Sequence, residues 1–188
     1  MSDARSIVKI YAEAEDFKRI DIIFEHFDNF IRLVEMFEEG LRDTLKEEKL
    51  YNKRNERGDI GIRVQTSGCS DPTGNSAAGN IDLLNDMRIG SIVNALKGAD
   101  EDLDHRIEIE TLRIMRSDYF AIIKAIEHLR PRQRAELTDA LNGTRDISTI
   151  ADDSNSGYEA TKHRLNRNRS KVRKLAIVYM REDRRKGA

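Results

Sequence analysis

The sequence predicts an all-α protein, and three observations support this. Apolar residues recur at helical spacing along most of the 188 residues, and only two of those residues are proline. Charged residues make up 36% of the chain and hydrophobic residues 38%, with 6% aromatic and no tryptophan, which is typical of a helix-rich protein with modest cores. Changes in this pattern divide the chain into residues 1–57, 58–80, 81–128 and 129–188.

Residues 1–57 are predicted to form an amphipathic, coiled-coil-like helical region. Two seams follow a seven-residue repeat, one through Ile10, Phe17, Phe24, Ile31 and Leu45 and the other through Ile20, Phe27, Val34 and Leu41. A third apolar stripe contains Ile23, Phe30 and Phe37. A surface this wide predicts burial in a bundle with residues 81–128, or pairing with a second copy of the chain.

Residues 58–80 are predicted to be a linker. This stretch contains five glycines, Pro72 and several Ser, Thr and Asn residues, a composition typical of turns. Its glycines are not followed by Gly-Lys-Ser/Thr, so the ammonium and hydroxyl groups of a phosphate-binding loop are missing. Helical spacing returns at Ile81 and, after a pause at 97–102, continues to Leu129.

Residues 129–188 carry helix-boundary signals in a definite order. Pro131 suits the first position of a helix, and Gly143 suits the end of that helix. Asp146 can cap a short helix with the sequence ISTIADD by accepting a hydrogen bond from a free backbone N–H. Residues 154–157 then form a turn before a long basic helix.

The basic helix concentrates the positive charge of the chain. From Lys162 to the end there are eleven Lys and Arg residues against two acidic ones, a balance of +9, although the whole chain has a net charge of −1. Placed on a helix, Thr161, Leu165, Val172, Leu175 and Tyr179 share one largely apolar stripe, which is interrupted by the polar Asn168. A stripe of this kind predicts a packed helix rather than a solvated tail.

The polar face of residues 158–169 predicts a recognition helix that reads the DNA major groove. The expected base-reading residues are Tyr158, Glu159, Lys162, His163 and Asn166. Lysine can donate to guanine, glutamate can accept from cytosine, and asparagine can pair with adenine. The expected phosphate-binding residues are Arg164, Arg167, Arg169, Lys171 and Arg173.

Residues 147–175, ISTIADDSNSGYEATKHRLNRNRSKVRKL, resemble the helix-turn-helix of sigma factor region four, which reads the −35 promoter element. Upstream, LRPRQRAEL at 129–137 resembles the opening of the same domain. The resemblance implies base contacts from Tyr158, Glu159, Lys162 and His163. It implies phosphate contacts from Arg164, Arg167 and Arg169.

The turn departs from the family pattern. Asp153, Ser154 and Ser156 stand where the family has bulky apolar residues. Asn155 occupies a position often given to glycine, and asparagine tolerates the left-handed backbone conformation required there. We therefore expect the topology to be kept and the domain to be less stable.

The chain as a whole is similar to the ArpU/RinA-type regulators, because it combines a helical N-terminal region, a SDPTGNSAA connector and a C-terminal sigma-four-like segment. These are small transcription factors of phages and mobile elements that are associated with activation of late or packaging genes. The resemblance implies an activator that binds promoter or operator DNA, with RNA polymerase as a further partner. A complete sigma factor is disfavoured by the acidic first part and the lack of tryptophan.

Other functions are compatible with the same sequence features. An antiterminator acting with RNA polymerase and the small subunit of a phage terminase could carry similar helices, and the basic helix could bind RNA or an acidic protein. An enzyme is not expected, because His26, His105, His128 and His163 are dispersed and Cys69 has no paired base. The sequence therefore predicts no catalytic residue, metal or cofactor.

The sequence also predicts where the protein acts. A single cysteine suits a reducing compartment, and no apolar run approaches the roughly 20 residues that cross a bilayer. The start of the chain becomes acidic too early for a signal peptide. We expect a cytoplasmic, nucleoid-associated protein without a membrane partner.

Overall fold

A computed structural model describes residues 2–56, 72–100 and 103–186 of the chain. These residues form α-helices and no strand, which confirms the predicted all-α class. The helices are α1 (Ser2–Glu13), α2 (Asp16–Glu25), α3 (Phe30–Glu56), α4 (Pro72–Arg88), α5 (Ile92–Leu96), α6 (Leu103–Glu127), α7 (Pro131–Leu141), α8 (Ile147–Asp153) and α9 (Tyr158–Lys186).

The seven-residue repeat of the N-terminal region does not correspond to one continuous helix. The chain leaves the helical conformation after Glu13 and again at 26–29, so the repeat is shared by α1, α2 and α3. Ile20 and Val34 of one seam are buried, whereas Ile10 and Phe17 of the other are about half exposed. The break at 26–29 includes an Asp-Asn pair, whose short side chains compete for backbone hydrogen bonds and favour turns.

Two compact units make up the chain. One contains residues 1–33 together with 114–188, and the other contains residues 34–113. The division falls within α3 and α6. The C-terminal region 129–188 therefore shares a compact unit with α1 and α2, an association that the sequence-based division into four regions does not include.

The first unit is built around α9. Helices α2, α7 and α8 pack against it. The largest buried side chains of this unit are Tyr11, Ile20, Ile23, Phe30, Met115, Ile122, Leu137, Ile150 and Met180. The Phe30 ring lies 5.8 Å from that of Tyr119 and 6.1 Å from that of Tyr11, so aromatic contacts join α1, α3 and α6.

One stripe of α9 is buried along most of its length. Its members are Thr161, Leu165, Asn168, Val172, Ala176 and Met180. The predicted stripe is correct as far as Val172, but Leu175 and Tyr179 are only partly buried. A helix that repeats every 3.6 residues carries the buried face to Ala176 and Met180 instead.

The second unit is held together by side chains that reach between helices. The guanidinium of Arg113 in α6 donates to the carbonyls of Met87 and Asp86 at 2.6 Å and of Gly90 at 2.8 Å, which satisfies groups at the end of α4. Glu38 in α3 accepts from Arg88 at 2.6 Å.

The predicted linker at 58–80 lies partly outside the described residues. Residues 58–71 belong to that part, but from Pro72 onward the chain is helical and forms α4. Proline is favourable at the start of a helix, and Ala77 and Ala78 have high helix propensity, which offsets the unfavourable Gly79. None of the described helices has a stretch that is both long and apolar enough to cross a bilayer.

Candidate nucleic-acid interface

The short helix α8 has the predicted cap. The Asp146 carboxylate accepts hydrogen bonds from the backbone N–H and the hydroxyl of Thr149, each at 2.7 Å. These bonds to Thr149 stabilise the ionised form and lower the pKa of Asp146. Upstream, α7 begins at Pro131 and ends before Gly143, which has a φ of +65°, as the sequence predicts.

The turn between α8 and α9 has the left-handed backbone that the sequence predicts at Asn155. Asn155 has a φ of +48°, the left-handed conformation. Its N–H donates to the Asp152 carbonyl at 3.0 Å, and the Ser156 N–H donates to the Ala151 carbonyl at 3.0 Å. This pair of bonds is a Schellman motif, which ends α8 and redirects the chain into α9.

The first turns of α9 present the predicted base-reading residues to solvent. These residues are Tyr158, Glu159, Lys162, His163 and Asn166, and all are exposed. Spacings of three and four residues place most of them on one side of the helix. His163, Asn166 and Arg167 also line a shallow, open surface depression with Ala160 and Ser170.

Three exposed cations follow along α9, on the side of the helix next to His163. Arg167 and Lys171 were among the predicted phosphate-binding residues, and Lys174, which was not predicted, is also exposed. From Lys162 to Lys174 the exposed cations extend over about 18 Å at 1.5 Å per residue. Arg167, Lys171 and Lys174 lie within about 60° of one another around the helix, at about 100° per residue, and are called the cationic face below.

Arg164 points into the protein rather than along the cationic face. Its Nε donates to the Glu136 carboxylate at 2.9 Å, and its Nη2 donates to the Ser154 hydroxyl at 3.1 Å. The structure therefore places this predicted phosphate-binding residue in an intramolecular network. Position 164 borders the buried stripe of α9, so its side chain faces α7 and the turn.

Arg173 is likewise drawn inward, in this case beside α2, and Arg169 is only partly exposed. The Arg173 guanidinium pairs with the Asp21 carboxylate and lies 4.3 Å from the centre of the Phe17 ring. Arg169 is half-buried, and this burial together with the Arg173 charge lowers its pKa. Neither residue has the solvent exposure of the cationic face.

Two arginines in the last turns of α9 pair with the same helix, α2. Asp16 of α2 accepts hydrogen bonds from Arg184 at 2.7 Å and from Arg181 at 3.3 Å. Burial alone would raise the pKa of Asp16, but the bonds and charges of Arg184 and Arg181 outweigh it and lower the pKa. The C-terminal positive charge is thus divided between an exposed cationic face and cations paired with α2.

A buried carboxylate that the sequence reasoning missed supports this arrangement. Asp118 is 2% exposed, accepts a hydrogen bond from the Tyr11 hydroxyl at 2.9 Å and lies 3.6 Å from Arg184. The burial of Asp118 could have been predicted from the sequence, because this residue lies four positions from both Ile114 and Ile122 on an apolar stripe of α6. An acidic residue on such a stripe predicts a buried partner.

The histidines lie in separate environments. His105 contacts Glu48 at 2.9 Å, His128 contacts the Tyr179 hydroxyl at 2.7 Å, and His163 lies on the exposed face of α9. Among the described residues, no group of three His, Cys, Asp or Glu side chains is arranged to hold a metal ion. Cys69 lies outside the described residues.

Comparison with protein-family models, curated proteins and solved structures finds no match for this chain.

Proposed function

We propose that this protein is a sequence-specific DNA-binding transcriptional regulator whose helices α8 and α9 form a helix-turn-helix. The observation that carries the proposal is the combination of the capped α8, the left-handed Asn155 and the exposed polar start of α9. Together they present base-reading side chains beyond a tight turn, as major-groove recognition requires. The resemblance to sigma factor region four supports an activator of phage or mobile-element genes.

In this proposal the first turns of α9 enter the major groove. Lys162 donates to guanine, Glu159 accepts from cytosine and Asn166 pairs with adenine. Arg167, Lys171 and Lys174 bind phosphates and set the position of the helix on the duplex. Arg164, Arg169 and Arg173 are left out of the phosphate contacts because their guanidinium groups are engaged or partly buried.

A second molecule increases the binding energy. One small helix-turn-helix buries little DNA surface, so self-association or RNA polymerase would strengthen the complex. Residues 34–113 supply candidate apolar contacts, since Ile89 is 87% exposed and Val93 is 66% exposed. The protein would act in the cytoplasm, on DNA of the nucleoid.

The test is a binding selection from random duplex DNA at near-physiological salt, with and without RNA polymerase. Enrichment of one motif by the protein alone supports an autonomous regulator. Enrichment only with polymerase supports a sigma-like or antitermination role. Binding that is indifferent to sequence and disappears with modest salt would refute the proposal, because phosphate attraction alone behaves in this way.

A further inference from the structure

We infer that Arg164 and Glu136 form a clamp that positions the recognition helix, and that Arg164 does not bind DNA phosphate. The inference rests on the proposed function, since it concerns how α9 is presented to DNA. It also departs from the resemblance, which assigns a phosphate contact to Arg164. The clamp consists of Glu136, the two arginines that donate to it, Arg132 and Arg164, and the groups of the turn that these arginines reach.

The centre of the clamp is the carboxylate of Glu136 in α7. Glu136 is 7% exposed, which is low for an acidic residue. Its Oε1 accepts from Arg132 Nε at 3.0 Å and its Oε2 accepts from Arg164 Nε at 2.9 Å. Because a buried carboxylate is costly without hydrogen-bonded partners, this burial requires the two arginines.

The rest of the Arg164 guanidinium reaches the turn and α9. Nη2 donates to the hydroxyls of Ser154 at 3.1 Å and Thr161 at 3.4 Å. Nη1 lies 3.5 Å from the Ser156 hydroxyl, a long contact. One planar group therefore links α7, the turn and α9, which the single ammonium of a lysine cannot reproduce.

The same contacts account for the polar turn. Ser154 and Ser156 stand where the resembling family has bulky apolar residues. In this chain the Ser154 hydroxyl accepts a hydrogen bond from Arg164, and the Ser156 hydroxyl lies 3.5 Å from Arg164 Nη1. Arg132 Nη2 also lies 3.5 Å from the Ser154 carbonyl. A polar network thus replaces apolar packing at the junction of α8 and α9.

The consequence is that Arg164 determines the orientation of α9 relative to α7. Groups that read a ligand must be held within about 0.5 Å of the productive geometry. Loss of the clamp would displace Lys162, His163 and Asn166 together. It would therefore reduce discrimination between DNA sequences more than the general attraction to phosphate.

The experiment uses the full chain and the duplex enriched by the selection, with a scrambled duplex of equal length as reference. Affinities are measured across a salt series for wild type, Arg164→Met, Arg164→Lys, Glu136→Gln and Arg167→Ala. Arg167→Ala is the matched control, because it also removes an arginine of α9, but one that is exposed and lies beside the base-reading Asn166. Circular dichroism verifies that each variant is folded.

We expect Arg164→Met to lower the ratio of selected to scrambled affinity about tenfold, the size of one lost base contact, with the salt slope unchanged. Arg164→Lys should not restore this ratio, and Glu136→Gln should lower it as well. Arg167→Ala should weaken binding to both duplexes equally and reduce the salt slope by about one.

The inference is overturned if Arg164→Met behaves like Arg167→Ala and Arg164→Lys restores binding, because Arg164 is then a phosphate contact. If Arg164→Met does not fold, the Ser154→Ala/Ser156→Ala double variant takes its place. A lower affinity ratio with the same salt slope supports the clamp, and an unchanged ratio refutes it. Absence of selective binding by wild type refutes the proposed function instead.

Discussion

Asp118 makes the stability of the first unit depend on pH. Burial disfavours its carboxylate and raises its pKa to about 6, in spite of the hydrogen bond from Tyr11 and the charges of Arg184 and Arg19. The folded state therefore binds this proton more tightly than the unfolded state. The resulting contribution to stability is complete below about pH 4 and is lost as the pH rises through about 6.

Asp118→Asn should reduce this pH dependence. Asparagine keeps an oxygen that accepts the Tyr11 hydrogen bond but has no proton to lose in this range. In wild type, loss of this proton should lower the free energy of unfolding by up to about 3 kcal/mol between pH 4 and pH 7, because each pKa unit corresponds to about 1.4 kcal/mol. The variant should lack this decrease. Denaturant titrations at both pH values measure this, and identical pH dependence would contradict the assignment.

Asn155 is tested by its backbone conformation. Because its φ is +48°, Asn155→Ala should destabilise the protein by about 1 kcal/mol, whereas Asn155→Gly should be nearly neutral. Thermal unfolding of the pair separates the backbone requirement from loss of the side chain. Equal melting temperatures for both variants would argue against a left-handed turn residue.

Lys162 is the residue through which the proposed base reading is tested. Lys162→Ala should lower discrimination among DNA sequences by about 1–3 kcal/mol if the side chain contacts a base. Lys124→Ala, which removes an exposed lysine of α6, is the charge-matched control and should leave discrimination unchanged. An equal loss of affinity on every duplex would instead place Lys162 among the phosphate contacts.

At the scale of the helix, α9 presents two kinds of cation that sequence spacing does not separate. Lys171 is exposed, whereas Arg173 is paired with Asp21 and lies against the Phe17 ring. Helix α2 therefore withdraws Arg173 from the cations that the proposed DNA interface could use. The two residues, only two positions apart, allow a direct comparison.

Arg173→Ala should destabilise the unit by about 1–2 kcal/mol, which is less than for a fully buried ion pair because Arg173 and Asp21 are partly exposed to solvent. The salt slope of DNA binding should change little. Lys171→Ala should leave stability nearly unchanged and reduce that slope by about one. Chemical denaturation and salt-dependent binding measure the two effects. If Arg173→Ala instead reduced the salt slope and left stability unchanged, α2 would not engage Arg173 in solution.

At the scale of the whole molecule, the helix-turn-helix candidate does not stand apart from the N-terminus. Residues 1–33 belong to the same compact unit as 114–188. From the N-terminal helices, Tyr11 contacts Asp118, Asp16 contacts Arg184 and Asp21 contacts Arg173. The N-terminal helices therefore contribute to the stability of the proposed DNA-binding unit.

Deletion of residues 1–25 should lower the melting temperature and broaden the unfolding transition, because it removes α1, α2 and their buried Ile20 and Ile23. Calorimetry of the shortened and full-length chains measures the effect. A melting temperature equal to that of the full chain would show that α1 and α2 are dispensable for the fold. Solution mass, measured in parallel, tests the separate expectation of a dimer.

Sequence alone determined the features that depend on neighbouring residues. The cap at Asp146, the start of α7 at Pro131, the left-handed Asn155 and the buried stripe from Thr161 to Val172 could be predicted, because each depends on residues within one or two helical turns. The same periodicity predicted the exposed positions Tyr158, Glu159, Lys162, His163 and Asn166. The division of the seven-residue repeat into three helices did not, because apolar spacing continues through the turn at 26–29.

Only the tertiary structure decided which cations of α9 are paired with acidic side chains. Arg164 is engaged by Glu136, Arg173 by Asp21 and Arg184 by Asp16. Each arginine is separated in sequence from its acidic partner, by 28, 152 and 168 positions, respectively. Helical periodicity assigns a side chain to a face, but it carries no information about which distant element covers that face. Packing of α2 and α7 against α9 supplies that information.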